Sequence, residues 1–239
     1  MVRLGRITEA WLGKNGYCLN CTSDQLSPTA ANREVCDFVC ARCTQNYELK
    51  SSLKQHRGRV VDGAYRAMME RVQATDAPAL MLLPYTPTLH VERWMAVHPV
   101  FLTPMVVEQR PPLAPTARRA GWVGCNIRLD RIPEDGKIVL ISNGVAVTRK
   151  HAREKFLQSA RLRELRPEAR GWTALVLTAV RMVGKKEFDL AEVTAYEKRF
   201  SDAYPMNRHV ADKVRQQLQV LRDLGYLEFL GRGRYRVLR

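Results

Sequence analysis

The amino-acid sequence predicts a mixed α/β domain followed by a small winged-helix domain, and three observations lead to this prediction. Two short apolar runs, residues 79–85 (ALMLLPY) and 137–142 (KIVLIS), have the length and the flanking turns of buried strands. Two Cys-x-x-Cys pairs have the spacing of a metal knuckle. The last part of the chain changes to helices followed by a hairpin. We therefore expect one domain at residues 1–168 and a second at residues 169–239.

The first domain begins with a helical pattern that ends near Leu12 and leads through a turn into the first cysteine pair. Four of the six cysteines fall in two Cys-x-x-Cys pairs separated by eighteen residues. In a reducing compartment such pairs favour metal over disulfides, and four thiolates complete a tetrahedral zinc site that has no place for water. We therefore predict structural zinc, with unligated core cysteines and a redox pair as alternatives. The predicted zinc ligands are Cys18, Cys21, Cys40 and Cys43.

The second cysteine pair lies at the turn of a predicted hairpin, residues 35–50 (VCDFVCARCTQNYELK). The strand period of two places Glu48 and Lys50 on one face, and Asp37 precedes Glu48 by eleven positions. Two carboxylates and an amine on one sheet face form a residue set that can cut DNA. The same triplet arises by chance in many sequences. The two other cysteines, Cys36 and Cys125, are assigned to packing.

Downstream of the hairpin, a polar loop at residues 52–59 precedes a helix that we expect Asp62 to open. A loop rich in proline and arginine lies between the two apolar strands and ends at Trp122. Loops of this kind are where binding residues tend to lie. A basic amphipathic helix is predicted at residues 153–165, with a break at Pro167.

The C-terminal segment is predicted to hold a helix at residues 172–182, a helix begun by Asp189, a longer helix begun by Asn207, and a hairpin. In the long helix one apolar stripe is buried, and polar residues face outwards. The stripe is Val210, Val214, Leu218, Leu221 and Leu224. The outward residues are Arg208, Arg215, Gln216, Gln219 and Arg222, and the wing adds Arg232, Arg234 and Arg236. Glutamine and arginine on this face favour DNA over a protein partner.

The composition favours a protein that binds a polyanion such as nucleic acid. The chain has 39 Lys and Arg against 24 Asp and Glu, for a net charge of +15, and a hydrophobic fraction of 46% that is sufficient for a core. No apolar run has membrane-spanning length and no signal peptide is visible, so we expect a cytoplasmic protein that does not bind membranes.

The D-x10-E-L-K pattern formed by Asp37, Glu48 and Lys50 resembles the motif of the PD-(D/E)XK nucleases. Four blocks closely resemble the DpnI and dam-replacing family of methyl-dependent restriction endonucleases, and the likeness covers nearly the whole chain. The blocks are residues 48–51 (ELKS), 62–65 (DGAY), 113–127 (LAPTARRAGWVGCNI) and 215–223 (RQQLQVLRD).

The resemblance implies a PD-(D/E)XK-like mixed sheet with an inserted zinc knuckle, joined to a winged helix. It implies Mg²⁺-dependent cleavage of double-stranded DNA at GATC sites with N6-methylated adenine, by a monomer without an obligate protein partner. Asp37, Glu48 and Lys50 would be catalytic, with the two carboxylates as magnesium ligands. The expected DNA contacts are Trp122, which would read the methyl groups, and Arg118, Arg119, Arg215, Gln216, Gln219, Arg232 and Arg234. The chain opens where family members already have a helix, so we expect a shortened N-terminal helix.

Two other classes of protein remain open. One is a zinc-stabilised transcription regulator that binds DNA through its winged helix without cutting it. The other is a non-cleaving protein that binds methylated DNA and descends from a nuclease. A regulator does not need Asp37, Glu48 and Lys50 to converge on one sheet face, so the geometry of this hairpin separates it from a nuclease.

Overall fold

The computed structural model describes residues 2–29, 36–53, 56, 58–74 and 76–238. The described residues form seven α-helices and three β-sheets. The α-helices are α1 (Val2–Asn15), α2 (Tyr65–Gln73), α3 (Arg149–Gln158), α4 (Pro167–Val183), α5 (Leu190–Thr194), α6 (Glu197–Ala203) and α7 (Val210–Asp223). The strands are β1 (Ser27–Pro28), β2 (Phe38–Val39), β3 (Asn46–Ser52), β4 (Arg59–Ala64), β5 (Ala79–Pro84), β6 (Trp94–Val97), β7 (Val107–Gln109), β8 (Gly124–Arg128), β9 (Lys137–Ser142), β10 (Val145–Ala146), β11 (Glu187–Asp189), β12 (Leu227–Gly231) and β13 (Arg234–Val237).

The largest sheet has the order β1-β2-β3-β5-β6-β9-β10 and is mixed. Strands β3 and β5 pair in parallel, with Glu48 opposite Leu80, while the other pairs are antiparallel. Strand β5 is buried on both faces, because Leu80 and Leu82 enter one apolar core while Met81 and Leu83 enter another. The continuous apolar run predicted this double burial. By contrast, β9 alternates between buried and exposed residues, so it is a half-buried strand.

A second sheet, in the order β4-β8-β7, is antiparallel throughout. It corrects one prediction: Asp62 does not open a helix but lies in β4, and α2 begins only at Tyr65. Asp62 pairs with Cys125 of β8, and this ladder accounts for the backbone that we expected to be helical. Both cysteines assigned to packing, Cys36 and Cys125, are buried.

The C-terminal part has the winged-helix order, with α4, α5, α6 and α7 followed by the β12–β13 wing, and β11 completing a three-stranded sheet. The predicted cap at Asp189 is confirmed, because its side chain and Glu192 form a capping box for α5. Helix α7 begins three residues after Asn207, and α4 begins at Pro167 rather than Trp172.

Two helix boundaries therefore differ from the predictions in a way that affects the domain division. Proline is favoured in the first turn of a helix, where its missing N–H costs nothing, so Pro167 starts α4 and is not the break after a helix that the sequence predicted. Helix α3 starts at Arg149, capped by the Thr148 hydroxyl, and ends at Gln158. The division predicted at residue 168 thus falls within the first turn of α4.

No helix in the part of the chain that the structure describes combines the length and the apolar character needed to cross a lipid bilayer.

Candidate functional site

The four knuckle cysteines form one compact cluster. Their sulfur atoms all lie within 4.8 Å of one another, with 3.5 Å between Sγ of Cys18 and Cys43 and 3.6 Å between Sγ of Cys21 and Cys40. A tetrahedral zinc ion with Zn–S bonds of about 2.3 Å needs sulfurs about 3.8 Å apart. Disulfides are excluded because all four thiols are free. The cluster can therefore hold a zinc ion, and it offers no place for a substrate or water ligand.

Strand β3 connects this cluster to the opposite face of the sheet. The Tyr47 hydroxyl accepts a hydrogen bond from the Leu19 backbone N–H at 2.9 Å and lies 3.2 Å from Cys18 Sγ. Burial raises the pKa of the Tyr47 hydroxyl, so it stays protonated. Because neighbouring residues of a strand point to opposite faces, the cluster positions Tyr47 while Glu48 faces away.

On the other face of β3, Glu48 and Lys50 are in direct contact, as the period of two predicted. The Lys50 ammonium lies 2.5 Å from Glu48 Oε1, and the Glu48 side chain is 8% exposed. Asp37 comes just before β2, and its Oδ2 accepts a hydrogen bond of 2.7 Å from the Leu49 backbone N–H. The hairpin therefore brings Asp37, Glu48 and Lys50 together at the middle of β3.

Sequence reasoning missed a third carboxylate at this place. Asp62 of β4 forms an ion pair with Lys50, and its side chain is 1% exposed. The sequence carries no clear signal for it, because Val60 and Val61 are both apolar and the alternation of buried and exposed residues in β4 is visible only in the structure. Within the described ranges, the four cysteines are the only group of three or more potential metal ligands gathered within 4.8 Å, so the three carboxylates here are not all that close to one another.

The charges of this site act on one another strongly. The pKa of Glu48 is raised to about 7, chiefly by burial and also by the carboxylates of Asp62 and Asp37, against the opposing effect of the Lys50 ammonium. Burial disfavours the charge on Lys50, but the carboxylates of Glu48 and Asp62 outweigh this and raise its pKa. Lys50 is therefore protonated at neutral pH. Additional positive charge beside Glu48 would favour its ionised form.

The arginine-rich loop lies between β7 and β8 and carries Trp122 next to the second sheet. The Trp122 ring is half-buried and packs against Gly124, where an added Cβ would lie 2.7 Å from a ring carbon. The Arg119 guanidinium lies 4.7 Å from the ring centroid, and Arg118 and Arg119 are both exposed. Trp122 lies two residues before Gly124, which opens β8, and β8 pairs with the strand that carries Asp62.

The recognition residues predicted on α7 are exposed: Arg215, Gln216 and Gln219 all lie on its outer face. Val210, Val214, Leu218 and Leu221 are buried as predicted, and Leu224 is partly buried against the same core. At the wing, Arg232 and Arg234 are exposed. Arg234 and Arg236 form ion pairs with Glu187, whereas the described residues show no such pair for Arg232.

Two models of known protein families match consecutive parts of the chain. Residues 2–165 match the model described as DpnI, the Dam-replacing family. Residues 168–237 match the model described as DpnI_C, the Dam-replacing HTH domain. The two matches are consecutive, and the second covers the helices and the wing of the C-terminal part.

Proposed function

Because the chain belongs to the Dam-replacing family, we propose that it is a Type II restriction endonuclease that cuts double-stranded DNA at GATC sites carrying N6-methyladenine. Family membership implies a methyl-dependent restriction endonuclease, and the HTH domain implies DNA binding. The enzyme acts as a monomer in the cytoplasm. The observation that carries the nuclease assignment is the convergence of Asp37, Glu48 and Lys50 at the middle of β3, which a regulator does not need.

The oxygen-rich site at the middle of β3 suits magnesium, since this hard ion prefers carboxylates and carbonyls. Asp37 and Glu48 would hold it, with the Leu49 carbonyl as a further ligand. Magnesium would neutralise charge developing on the phosphate and lower the pKa of bound water. The cysteine cluster cannot serve this purpose, because four sulfur ligands leave no open position.

Lys50 is assigned to orientation rather than proton removal. Its pKa is raised by two neighbouring carboxylates, so an ammonium faces the substrate at neutral pH. An ammonium donates hydrogen bonds and cannot accept a proton. Lys50 therefore orients the attacking water and stabilises negative charge on the phosphate.

Methyl reading is assigned to Trp122 with help from the winged helix. One methyl group buried against an aromatic ring contributes about 0.8 kcal/mol, or roughly a fourfold preference. Two methyl groups give about fifteenfold at most, which is too little to protect unmethylated host DNA. We therefore assign a second reading to the exposed face of α7, because the major groove displays the N6 group. The first reading belongs to the proposed nuclease domain, residues 1–168, and the second to the proposed winged-helix domain, residues 169–239.

Zinc in the cysteine cluster is assigned a structural role. It fixes the turn between Asp37 and Glu48. Tyr47 of β3 contacts the zinc ligand Cys18, and this contact holds β3 in place relative to the zinc site. Metal binding of this kind contributes directly to the free energy of folding.

A plasmid digest with Mg²⁺ tests the function. The substrates are one plasmid with and without N6-methylated GATC, and the proteins are wild type and Asp37→Asn, in which the amide oxygen can still accept from Leu49. We expect wild type to cut only the methylated plasmid. Asp37→Asn should bind it equally but cut at least about 100-fold more slowly, because it loses about 3 kcal/mol of metal-dependent stabilisation.

The control is Asp130→Asn, which removes an exposed carboxylate paired with Arg128 and should cut normally. Cleavage by Asp37→Asn at the wild-type rate, or cleavage by wild type without divalent metal, would contradict the assignment. Specific binding of methylated DNA without cleavage would instead identify the non-cleaving reader.

A further inference from the structure

Asp62 contacts the candidate catalytic lysine from a different sheet. Its Oδ1 accepts from the Lys50 ammonium and from the Gly63 backbone N–H at 2.6 Å. Its Oδ2 is buried and has no hydrogen-bond partner among the described residues. We propose that Asp62 is a positioning residue that keeps the Lys50 ammonium in place during catalysis, an inference that rests on the nuclease function proposed above.

The need for such a residue follows from the two carboxylates that share Lys50. Glu48 lies 2.5 Å from the ammonium, but the proposed function also assigns Glu48 to the metal. A carboxylate that binds a divalent cation gives up part of its attraction for an ammonium. Asp62 is then the partner that Lys50 retains, because its side chain is less exposed to an incoming ion than that of Glu48 (1% against 8%).

The charges agree with this division. Asp37, Glu48 and Asp62 carry three negative charges and Lys50 one positive charge, so the four residues together carry −2 when ionised. One Mg²⁺ ion neutralises this set. Without Asp62, the set would carry −1 and one added Mg²⁺ would leave a positive excess beside the ammonium.

The backbone around Asp62 is suited to holding a flexible side chain. Lysine has four rotatable bonds, so an unheld ammonium samples many positions and loses orientation entropy on each turnover. Asp62 lies within the β4–β8 ladder opposite Cys125, which is fully buried. A carboxylate fixed in this way, with one unpartnered oxygen, is costly to bury. Its ion pair with Lys50 offsets this cost.

The test compares Asp62→Ala, which removes the contact, with Asp62→Asn, which keeps an acceptor oxygen but not the charge. Single-turnover cleavage of methylated plasmid is measured at saturating enzyme and across a Mg²⁺ titration, with DNA affinity measured separately. Substitution of such a supporting residue typically costs about 10- to 100-fold in rate. We expect this loss for alanine and a smaller one for asparagine. DNA affinity should not change. The Mg²⁺ concentration for half-maximal rate should rise, because the set loses one negative charge, but the loss of rate should persist at saturating Mg²⁺.

The matched control is Glu108→Gln, which removes a carboxylate from β7 of the same sheet, where Glu108 pairs with Arg128. It should cut at the wild-type rate. A wild-type saturating rate in Asp62→Ala would overturn the proposal, as would a loss that excess Mg²⁺ restores, since that would make Asp62 a metal ligand. If Asp62→Ala does not fold, Asp62→Asn carries the comparison.

Failure of the nuclease function has a separate signature, because wild type would then cut neither plasmid. In that case a double-mutant cycle of unfolding free energies, with Lys50→Met and Asp62→Asn, tests the contact by itself. The contact predicts non-additive effects. Additive effects would overturn the inference without reference to cleavage.

Discussion

The packing of the Trp122 ring depends on the absence of a Cβ atom at Gly124. A Cβ at Gly124 would lie 2.7 and 2.8 Å from two ring carbons, so Gly124→Ala must displace the ring. Gly124 does not have a positive φ, so an alanine there would meet the ring contact but no backbone strain. We expect the preference for methylated over unmethylated GATC to fall by at least about fourfold, the value of one buried methyl.

The readout is the ratio of cleavage rates on the two plasmids. Gly63→Ala is the matched control, because Gly63 lies in the paired strand and an added Cβ would contact nothing within 4 Å. If Gly124→Ala leaves the ratio unchanged while the protein remains folded, methyl reading does not depend on Trp122.

The residues of the candidate site were predicted with uneven success, for physical reasons. Cysteine spacing is almost independent of the fold around it, so the cluster was found from the sequence. Glu48 and Lys50 were placed together by the strand period alone. Asp62 was missed because Asp before a helical pattern is a common N-cap. Only the pairing of β4 with β8, between residues distant in sequence, makes Asp62 a strand residue.

Among the structural elements, the wing carries one arginine that is exposed and another that is already paired with carboxylates. Arg232 lies at the tip, in the turn between Gly231 and Gly233, and is exposed. Arg236 is held by Glu187 and Glu228, each at 2.9 Å. A guanidinium already paired with two carboxylates has less attraction left for a phosphate. DNA binding should therefore depend on Arg232 more than on Arg236.

We expect Arg232→Ala to weaken binding to all DNA sequences and to reduce the slope of log K against log salt by about one. Arg236→Ala is the matched control and should leave the slope nearly unchanged while lowering thermal stability. Fluorescence anisotropy with labelled duplexes at several salt concentrations measures both. Equal changes in slope for the two variants would refute the distinction.

Elements with a strong periodic sequence pattern were predicted well, whereas short elements that depend on their neighbours in the fold were not. The run that forms β5 is apolar on both faces, and α7 has a clear buried stripe. Strands β6 and β7 and helix α6 went unpredicted, because they are short and are defined mainly by their neighbours. The start of α4 was placed five residues too late, since Pro167 was interpreted only as a break.

At the level of the whole molecule, α4 belongs to both halves of the chain. It packs against the short 3-10 helices at Pro99–Phe101 and Pro104–Val106 on one side and against α7 on the other. Arg181 of α4 also forms an ion pair with Asp135, with contacts of 2.5 and 2.8 Å. The two matched family regions therefore share one apolar core.

This shared helix predicts how truncated chains behave. A fragment of residues 1–168 keeps two residues of α4 and loses the large apolar side chains that cover Val100 and Phe101. Burial of one such side chain contributes about 1.5–3 kcal/mol, and each kcal/mol corresponds to about 2–4 °C in Tm for a chain of this size. With several side chains lost, we expect the Tm of the fragment to fall by at least about 10 °C.

Differential scanning calorimetry of zinc-loaded proteins measures this difference, and residues 1–183, which end with α4, are the matched control. The longer fragment should recover much of the lost stability but bind an apolar dye, because the face of α4 that packs against α7 is uncovered. If residues 1–168 melted within a few degrees of the full chain, the first region would be an independent domain, and α4 would serve only the winged helix. The coupling between the two regions would then have to come from DNA that both of them bind.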